Sequence, residues 1–175
     1  MPAYSIIGPS GSGKTTVGEE LKERGYRVID TDFEEGLSSW FEAETGLKPT
    51  VIPEQPYPKG WLANHIWGWD VAKMNELLDS VKEDSVFFCG GANNYADFSG
   101  RFDKIFGLHT DNEELKSRLQ LREPQRWTDD SVELERMLKR NDEFIENCSG
   151  SEITLIDSSK SPQSIADTIL SSLRQ

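Results

Sequence analysis

The sequence predicts an α/β domain with a mainly parallel sheet covered by helices on both faces. Short apolar or β-branched runs, each bounded by Gly, Asp or Ser, recur along the 175 residues at 4–7, 26–30, 85–89, 104–109 and 152–156. They have the length and composition of strands. Between them lie stretches with an apolar residue every three or four positions, the period of a helix with one buried face. Alternating strand and helix signals give parallel strands joined by crossover helices.

The first run, Tyr4-Ser5-Ile6-Ile7, ends at Gly8, and the helix after the glycine-rich loop carries Val17 and Leu21 on one face. The second run ends in Asp30-Thr31-Asp32. Trp67, Val71, Met74, Leu78 and Val81 then step by four and three, which predicts a helix over about 64–82 with Trp67 in its core stripe. The third run, Ser85-Val86-Phe87-Phe88-Cys89, stops at Gly90-Gly91. After the fourth, Asp111 with Glu114 three residues on forms a capping-box-like start for a helix through about 121. Leu134, Met137, Leu138, Phe144 and Ile145 stripe a helix near 130–147. Beyond the fifth run, Ser161 is an N-cap and Pro162 takes the first helical position, where its missing N–H costs nothing. Ile165, Ile169 and Leu173 line that last helix. Pro49, Pro53, Pro56 and Pro58 exclude regular structure over 48–60 and set off an insert at about 33–82. The chain reads as one domain over 1–175.

Nineteen Lys and Arg against 31 Asp and Glu give a net charge of −12. Such a surface repels polyanions, so a long nucleic acid is not an expected partner. No apolar run is long enough to span a bilayer. The start, Met1-Pro2-Ala3-Tyr4, lacks the charged region of a signal peptide. Cys89 and Cys148 are too few for a disulfide framework and read as free thiols. A cytoplasmic location is expected, with no membrane partner. His65 and His109, the only histidines, do not have zinc-site spacing with the cysteines.

The strongest motif is Gly8-Pro9-Ser10-Gly11-Ser12-Gly13-Lys14-Thr15-Thr16, which fits G-x-x-x-x-G-K-[ST] at every fixed position. Gly8, Gly11 and Gly13 let the backbone turn tightly and point N–H groups inward, with Ser10, Ser12 and Thr16 in the same cradle. The helix that follows adds its positive N-terminal end. Lys14 can reach β- and γ-phosphates, and Thr15 can offer its hydroxyl to Mg²⁺. Nucleoside triphosphate binding is therefore expected. No N-K-x-D is present to read guanine, and the third strand ends in Gly90-Gly91 rather than in the acid of a motor ATPase. A small-molecule kinase does not require that acid.

Weaker motifs follow in order. Asp30 and Asp32 lie at the carboxyl end of a parallel strand, the ligand-binding edge of such a sheet. One carboxylate could orient Mg²⁺ through water and the other could accept the proton of an attacking hydroxyl. The alternative is that Asp32 caps a helix starting at Phe33. Gly90, Gly91 and Asn93 are either acceptor contacts or an ordinary strand-to-helix turn. Arg118 and Arg122 share a helix face, and Arg126 follows Pro124 in a loop that could close over phosphate. Pairing with nearby acids is the plainer reading of these arginines. Trp40, Trp61, Trp67, Trp69 and Tyr57 make the insert aromatic, either as its own core or as an acceptor pocket. Asp70 and His65 are weak candidates there. Ser158, after the fifth strand, could lie against a base or ribose.

Taken in this order, the residues resemble the P-loop small-molecule kinases of the adenylate kinase and shikimate kinase-like group, over nearly the whole chain. The resemblance implies a three-layer P-loop fold with a five-stranded parallel sheet in order 2-3-1-4-5. It implies a flap at about 33–82, a lid at about 122–129, and ATP with Mg²⁺. By position it gives Lys14 to phosphate, Thr15 and Asp30 to Mg²⁺, Asp30 and Asp32 to substrate, and Gly90 and Gly91 to the acceptor. Arg118 and Ser158 fall to the nucleotide, and Arg122 and Arg126 become lid arginines. The chain departs from shikimate kinases in having two glycines after the third strand rather than three, and no Arg anywhere in 33–82. Lys48, Lys59, Lys73 and Lys82 are the only Lys or Arg residues there, which disfavours a strongly anionic acceptor. The expected activity is γ-phosphoryl transfer from ATP to a small hydroxyl-bearing metabolite or nucleoside, by a monomer or homodimer. A nucleoside monophosphate kinase and a slow regulatory ATPase are the alternatives.

Overall fold

A computed structural model describes residues 2–54, 57–58, 60–81, 85–124 and 131–174. Its strands are β1 (Ala3–Ile7), β2 (Arg27–Asp30), β3 (Ser38–Glu42), β4 (His65–Trp69), β5 (Val86–Cys89), β6 (Lys104–His109) and β7 (Ile153–Asp157). Its helices are α1 (Lys14–Glu23), α2 (Trp61–Asn64), α3 (Val71–Asp79), α4 (Asn112–Arg122), α5 (Val132–Cys148) and α6 (Pro162–Ser172), with a 3₁₀ helix over Tyr95–Arg101.

β1 is the middle of a five-stranded sheet ordered β2-β5-β1-β6-β7, with every pairing parallel. Counting only these five strands, the order is 2-3-1-4-5, as the resemblance implies. Each strand begins and ends within a residue of its apolar run. The register sets Ile6 between Cys89 and Phe106. Side chains alternate between the two faces. On one face Ile6, Phe87, Phe106 and Leu108 pack with Val17 and Leu21 of α1 and Ile165, Ala166 and Ile169 of α6. On the other, Val86, Phe88 and Ile29 pack with Met74, Leu77 and Leu78 of α3, Phe98, Leu37 and Trp69. Each fully buried side chain of this size contributes about 1.5–3 kcal/mol of transfer free energy. α4 and α5 share a third cluster, Leu115, Leu119 and Leu134.

The helix caps follow the sequence signals. Asp111 accepts from the Glu114 N–H at 2.8 Å and Ser161 from the Ser164 N–H at 3.2 Å. Both satisfy donors that a helix start leaves unpaired.

The insert departs from expectation. No single helix covers 64–82: α2 ends at Asn64, β4 follows, and α3 begins at Val71. Two local causes outweigh the helical spacing. His65–Trp69 is rich in β-formers and pairs antiparallel with β3, Trp40 opposite Trp67. Asp70 then restarts the helix by accepting from the Lys73 N–H at 3.1 Å. Trp67 therefore stands on a strand, half-buried, outside the α3 stripe. Trp69 is the insert's core tryptophan at 1% exposure, and Val71 is exposed. No helix starts at Phe33 either; a turn over 31–37 leads to β3, so Asp32 caps nothing.

Candidate active site

The carboxyl ends of β1, β2 and β5 open into a cavity of about 830 Å³ that runs from the glycine-rich loop to the insert. Backbone fit fixes the loop. A Cβ on Gly8 would lie 2.5 Å from the Leu108 carbonyl oxygen, and one on Gly11, where φ is +86°, would lie 3.0 Å from Leu115. Lys14 opens α1, and its Nζ donates to the carbonyls of Gly8 at 2.8 Å and Pro9 at 2.9 Å. Burial lowers the pKa of this amine, opposed by the carboxylates of Asp32 and Asp30. Ser10, Ser12, Gly13, Thr15 and Thr16 all line the cavity. The Ser12 hydroxyl is buried without a hydrogen-bond partner among the described residues. A loop of inward groups with an orphaned hydroxyl and a buried amine fits an oxygen-rich anion.

The two aspartates separate. Asp30 Oδ1 accepts from the Asp32 N–H at 3.1 Å, closing a turn at the end of β2. Asp32 lines the cavity, and its Oδ1 accepts from the Trp67 indole N–H at 3.0 Å. Its pKa is raised by desolvation, against the Trp67 hydrogen bond and the Lys14 charge, while Asp30 adds to the rise. A carboxylate in this balance suits proton acceptance. Among the described residues no three His, Cys, Asp or Glu cluster as a metal cage. Mg²⁺ held by one hydroxyl, one carboxylate, phosphates and water needs no such cage. Thr15 and the Asp30-Asp32 turn fit that donor set.

At the end of β5 the two glycines have different surroundings. A Cβ on Gly90 would collide with the Thr31 hydroxyl, whereas Gly91 lines the cavity. Asn93 also lines it, and its N–H donates to the Trp67 carbonyl at 2.8 Å. The neighbouring Asn94 side chain instead brackets the Trp69 backbone, at 2.9 and 3.0 Å.

Arg118 lines the cavity, donating to Glu114 at 2.8 Å and to the Ser158 carbonyl at 2.7 Å. Arg122 reaches the Ser10 hydroxyl at 3.4 Å and pairs with Glu123 at 3.4 Å. Both arginines thus line the cavity while paired with neighbouring acids. Arg126, with most of the expected lid, lies outside the described residues. Ser158 lines the cavity with Lys160 and Pro162. Sequence reasoning missed Arg136 and Arg140 of α5, which line the cavity too. Their i, i+4 spacing repeats that of Arg118 and Arg122 and was the available signal. The opposite end is aromatic: Trp40, Tyr57, Trp67 and Tyr95, with Leu62. Asp70 and His65 face elsewhere, Asp70 paired with Lys48 at 3.2 Å and His65 stacked on Trp61.

A glycine-rich phosphate loop between β1 and α1 of a 2-3-1-4-5 parallel sheet defines a P-loop domain. The AAA-domain family model matches residues 5–157, and the chain belongs to that family. No curated protein matches the sequence. Solved structures with the same fold include a shikimate kinase from Acinetobacter baumannii in complex with shikimate. That structure is 22% identical with a TM-score of 0.61, over 99% of this chain and 93% of that one. A gluconokinase from Sinorhizobium meliloti 1021 is 18% identical with a TM-score of 0.57, over 99% and 91%. A deoxyadenosine kinase from M. mycoides with bound dATP is 16% identical with a TM-score of 0.53, over all of both chains.

Proposed function

We propose that this protein is a kinase that transfers the γ-phosphoryl group of Mg·ATP to a hydroxyl of a small metabolite or nucleoside. The observation that carries the proposal is one cavity with the Lys14 loop at one end, the aromatic wall of the insert at the other, and between them the Asp32 carboxylate, bonded to Trp67 and within electrostatic reach of Lys14. An ATPase needs only the first end. The similar folds include a shikimate kinase, a gluconokinase and a deoxyadenosine kinase, which supports the reaction class and leaves the acceptor open.

The Gly8–Thr16 backbone and Lys14 would cradle the phosphates. Arg118 and Arg122, with Arg136 and Arg140, would offset charge on the transferring group. Arg126 would act with them from the lid. Thr15 and either Asp30 or Asp32 would hold Mg²⁺, which when bound neutralises phosphate charge. Asp32 would accept the acceptor's proton, Gly91 and Asn93 would line its path, and Ser158 would support the nucleoside. Most of the acceleration would come from positioning and electrostatics.

The test incubates the protein with Mg·ATP and pools of nucleosides, nucleoside monophosphates, sugars, sugar acids and amino alcohols, and reads each pool by mass spectrometry. A single phosphorylated acceptor is expected, lost in Lys14→Ala together with nucleotide affinity. ADP release without a phosphorylated product would refute the kinase reading. Unchanged nucleotide binding in Lys14→Ala would refute the phosphate-loop reading beneath it.

A further inference from the structure

The acceptor end of the cavity has a composition of its own. Its walls are the rings of Trp40, Trp67, Tyr57 and Tyr95, and its charged group is Asp32. Trp40 meets Trp67 at 5.3 Å between ring centroids and 68° between planes, and Tyr57 at 5.6 Å and 78°. The rings therefore form an angular wall rather than a flat stack. The two indole N–H groups of this wall already have partners. The Trp40 indole N–H donates to the Tyr57 hydroxyl at 3.2 Å, and the Trp67 indole N–H to Asp32 at 3.0 Å. One face of Tyr57 is stacked on Trp61 at 4.6 Å, and the indoles of Trp40 and Trp67 line the cavity together with the Asp32 carboxylate.

The basic side chains of the cavity stand on the phosphate loop, on α4 and α5, and at Lys160, and of these Lys14 acts electrostatically on Asp32. In the described part of the insert, Lys48 pairs with Asp70 and Lys73 with Glu76. An anionic acceptor would thus meet electron-rich rings and a carboxylate. A neutral polyol would find both indole donors already engaged. A positive charge is attracted by both features, because the face of an aromatic ring is negative and Trp binds cations best.

We infer that the acceptor is an organic cation that also carries a hydroxyl, an amino alcohol or quaternary ammonium alcohol, held by the Trp40–Trp67–Tyr57 wall opposite Asp32. The inference rests on the phosphoryl-transfer reading above. In the reaction the acceptor oxygen bonds to the γ-phosphorus as the bond from that phosphorus to the β–γ bridging oxygen breaks. The hydroxyl proton passes to the Asp32 carboxylate, and the nucleoside diphosphate leaves with the electron pair. The cationic end stays against the rings, and the net charge of −12 raises its local concentration.

The test compares charged alcohols with their uncharged carbon isosteres on the wild-type protein. Choline is paired with 3,3-dimethylbutan-1-ol and ethanolamine with propan-1-ol, with gluconate as the anionic control. Calorimetry reads binding in the presence of a non-hydrolysable ATP analogue, and mass spectrometry reads product with Mg·ATP. At least one cation should bind about tenfold or more tightly than its isostere and be the phosphorylated member of the pair. Trp40→Leu should remove the preference, and Trp40→Tyr should keep most of it, both checked for native circular dichroism. Equal binding within every pair, or tighter binding of gluconate, would overturn the inference. If a nucleoside or neutral alcohol is then phosphorylated, the kinase reading survives alone. Cation-selective binding without any phosphorylated product would uphold the cage and refute the kinase.

Discussion

Gly90→Ala probes the tightest point behind the candidate site. The added Cβ would collide with the Thr31 hydroxyl, and it would stand 3.1 Å from the Thr31 Cβ and 3.5 Å from the Asp32 nitrogen. Thr31 is fully buried and tied down: its N–H donates to the Cys89 carbonyl at 2.8 Å, and its carbonyl accepts from the Ser38 hydroxyl at 2.6 Å. Overpacking of this kind costs about 1–3 kcal/mol. The φ of +155° at Gly90 adds strain of about 1 kcal/mol for an L-residue. The expected loss is about 3 kcal/mol, or a Tm lower by roughly 6–12 °C for a domain of this size. Thr31→Ala removes the hydroxyl and leaves the φ strain, so a double-mutant cycle should show a coupling of about 1–2 kcal/mol. Urea unfolding followed by circular dichroism measures all four proteins. An equal cost of Gly90→Ala in both backgrounds, or a cost below about 0.5 kcal/mol, would refute the collision.

Three further predictions concern titratable groups. Trp67→Phe removes the hydrogen bond that favours the Asp32 carboxylate, so its pKa, already raised by desolvation, rises further. The acid limb of the kcat/KM profile should then move to higher pH, and an unmoved limb would separate Asp32 from the chemistry. The folded protein holds the Asp32 proton more tightly than the unfolded chain, so this group's contribution to stability falls as pH rises from the unfolded value of 3.8 through the folded one. Asp32→Asn should flatten that slope and raise stability at neutral pH, as read by denaturation across the range. Burial pushes the Cys89 thiol up to about 12 and raises that of Cys148 as well. Neither should react quickly with a thiol reagent until denaturant is added, and rapid labelling of the native protein would contradict their burial.

The sheet was legible because its information is local. Apolar runs, terminal glycines and caps such as Asp111 and Ser161 act within a few residues, and the phosphate loop is contiguous. The insert was not, because its decisive partners are distant in sequence. Trp67 fits a helical stripe until β3 is brought opposite it, and the i, i+4 spacing carries no record of that pairing. The separation of Asp30 from Asp32 has the same cause, since the indole that holds Asp32 is 35 residues away. Arg136 and Arg140 were visible as a pair, but nothing on α5 alone says that its polar face turns toward the loop of α1.

In the proposed reading, the β3–β4 hairpin would let the insert define the acceptor site without moving relative to Asp32. Its cavity-facing side carries Trp40 and Trp67 as a directly opposed pair, the contact unit of an antiparallel ribbon. An isolated hairpin is marginally stable in water, so this one depends on its attachments. The Asp70 N–H donates to the Leu37 carbonyl at 2.7 Å, the Asn93 N–H donates to the Trp67 carbonyl at 2.8 Å, and the Asn94 side chain clasps Trp69. Trp69 itself is sunk among Met74, Leu78 and Phe98 of the main core. The strand that holds one indole in the core therefore holds its neighbour two residues earlier at the cavity wall, hydrogen-bonded to Asp32. Because Thr31 binds the end of β5 on the other side of that aspartate, the carboxylate is referenced to the sheet and to the acceptor wall at once. An acceptor seated on Trp40 and Trp67 would then be positioned against Asp32 by the same strand pairing that folds the insert.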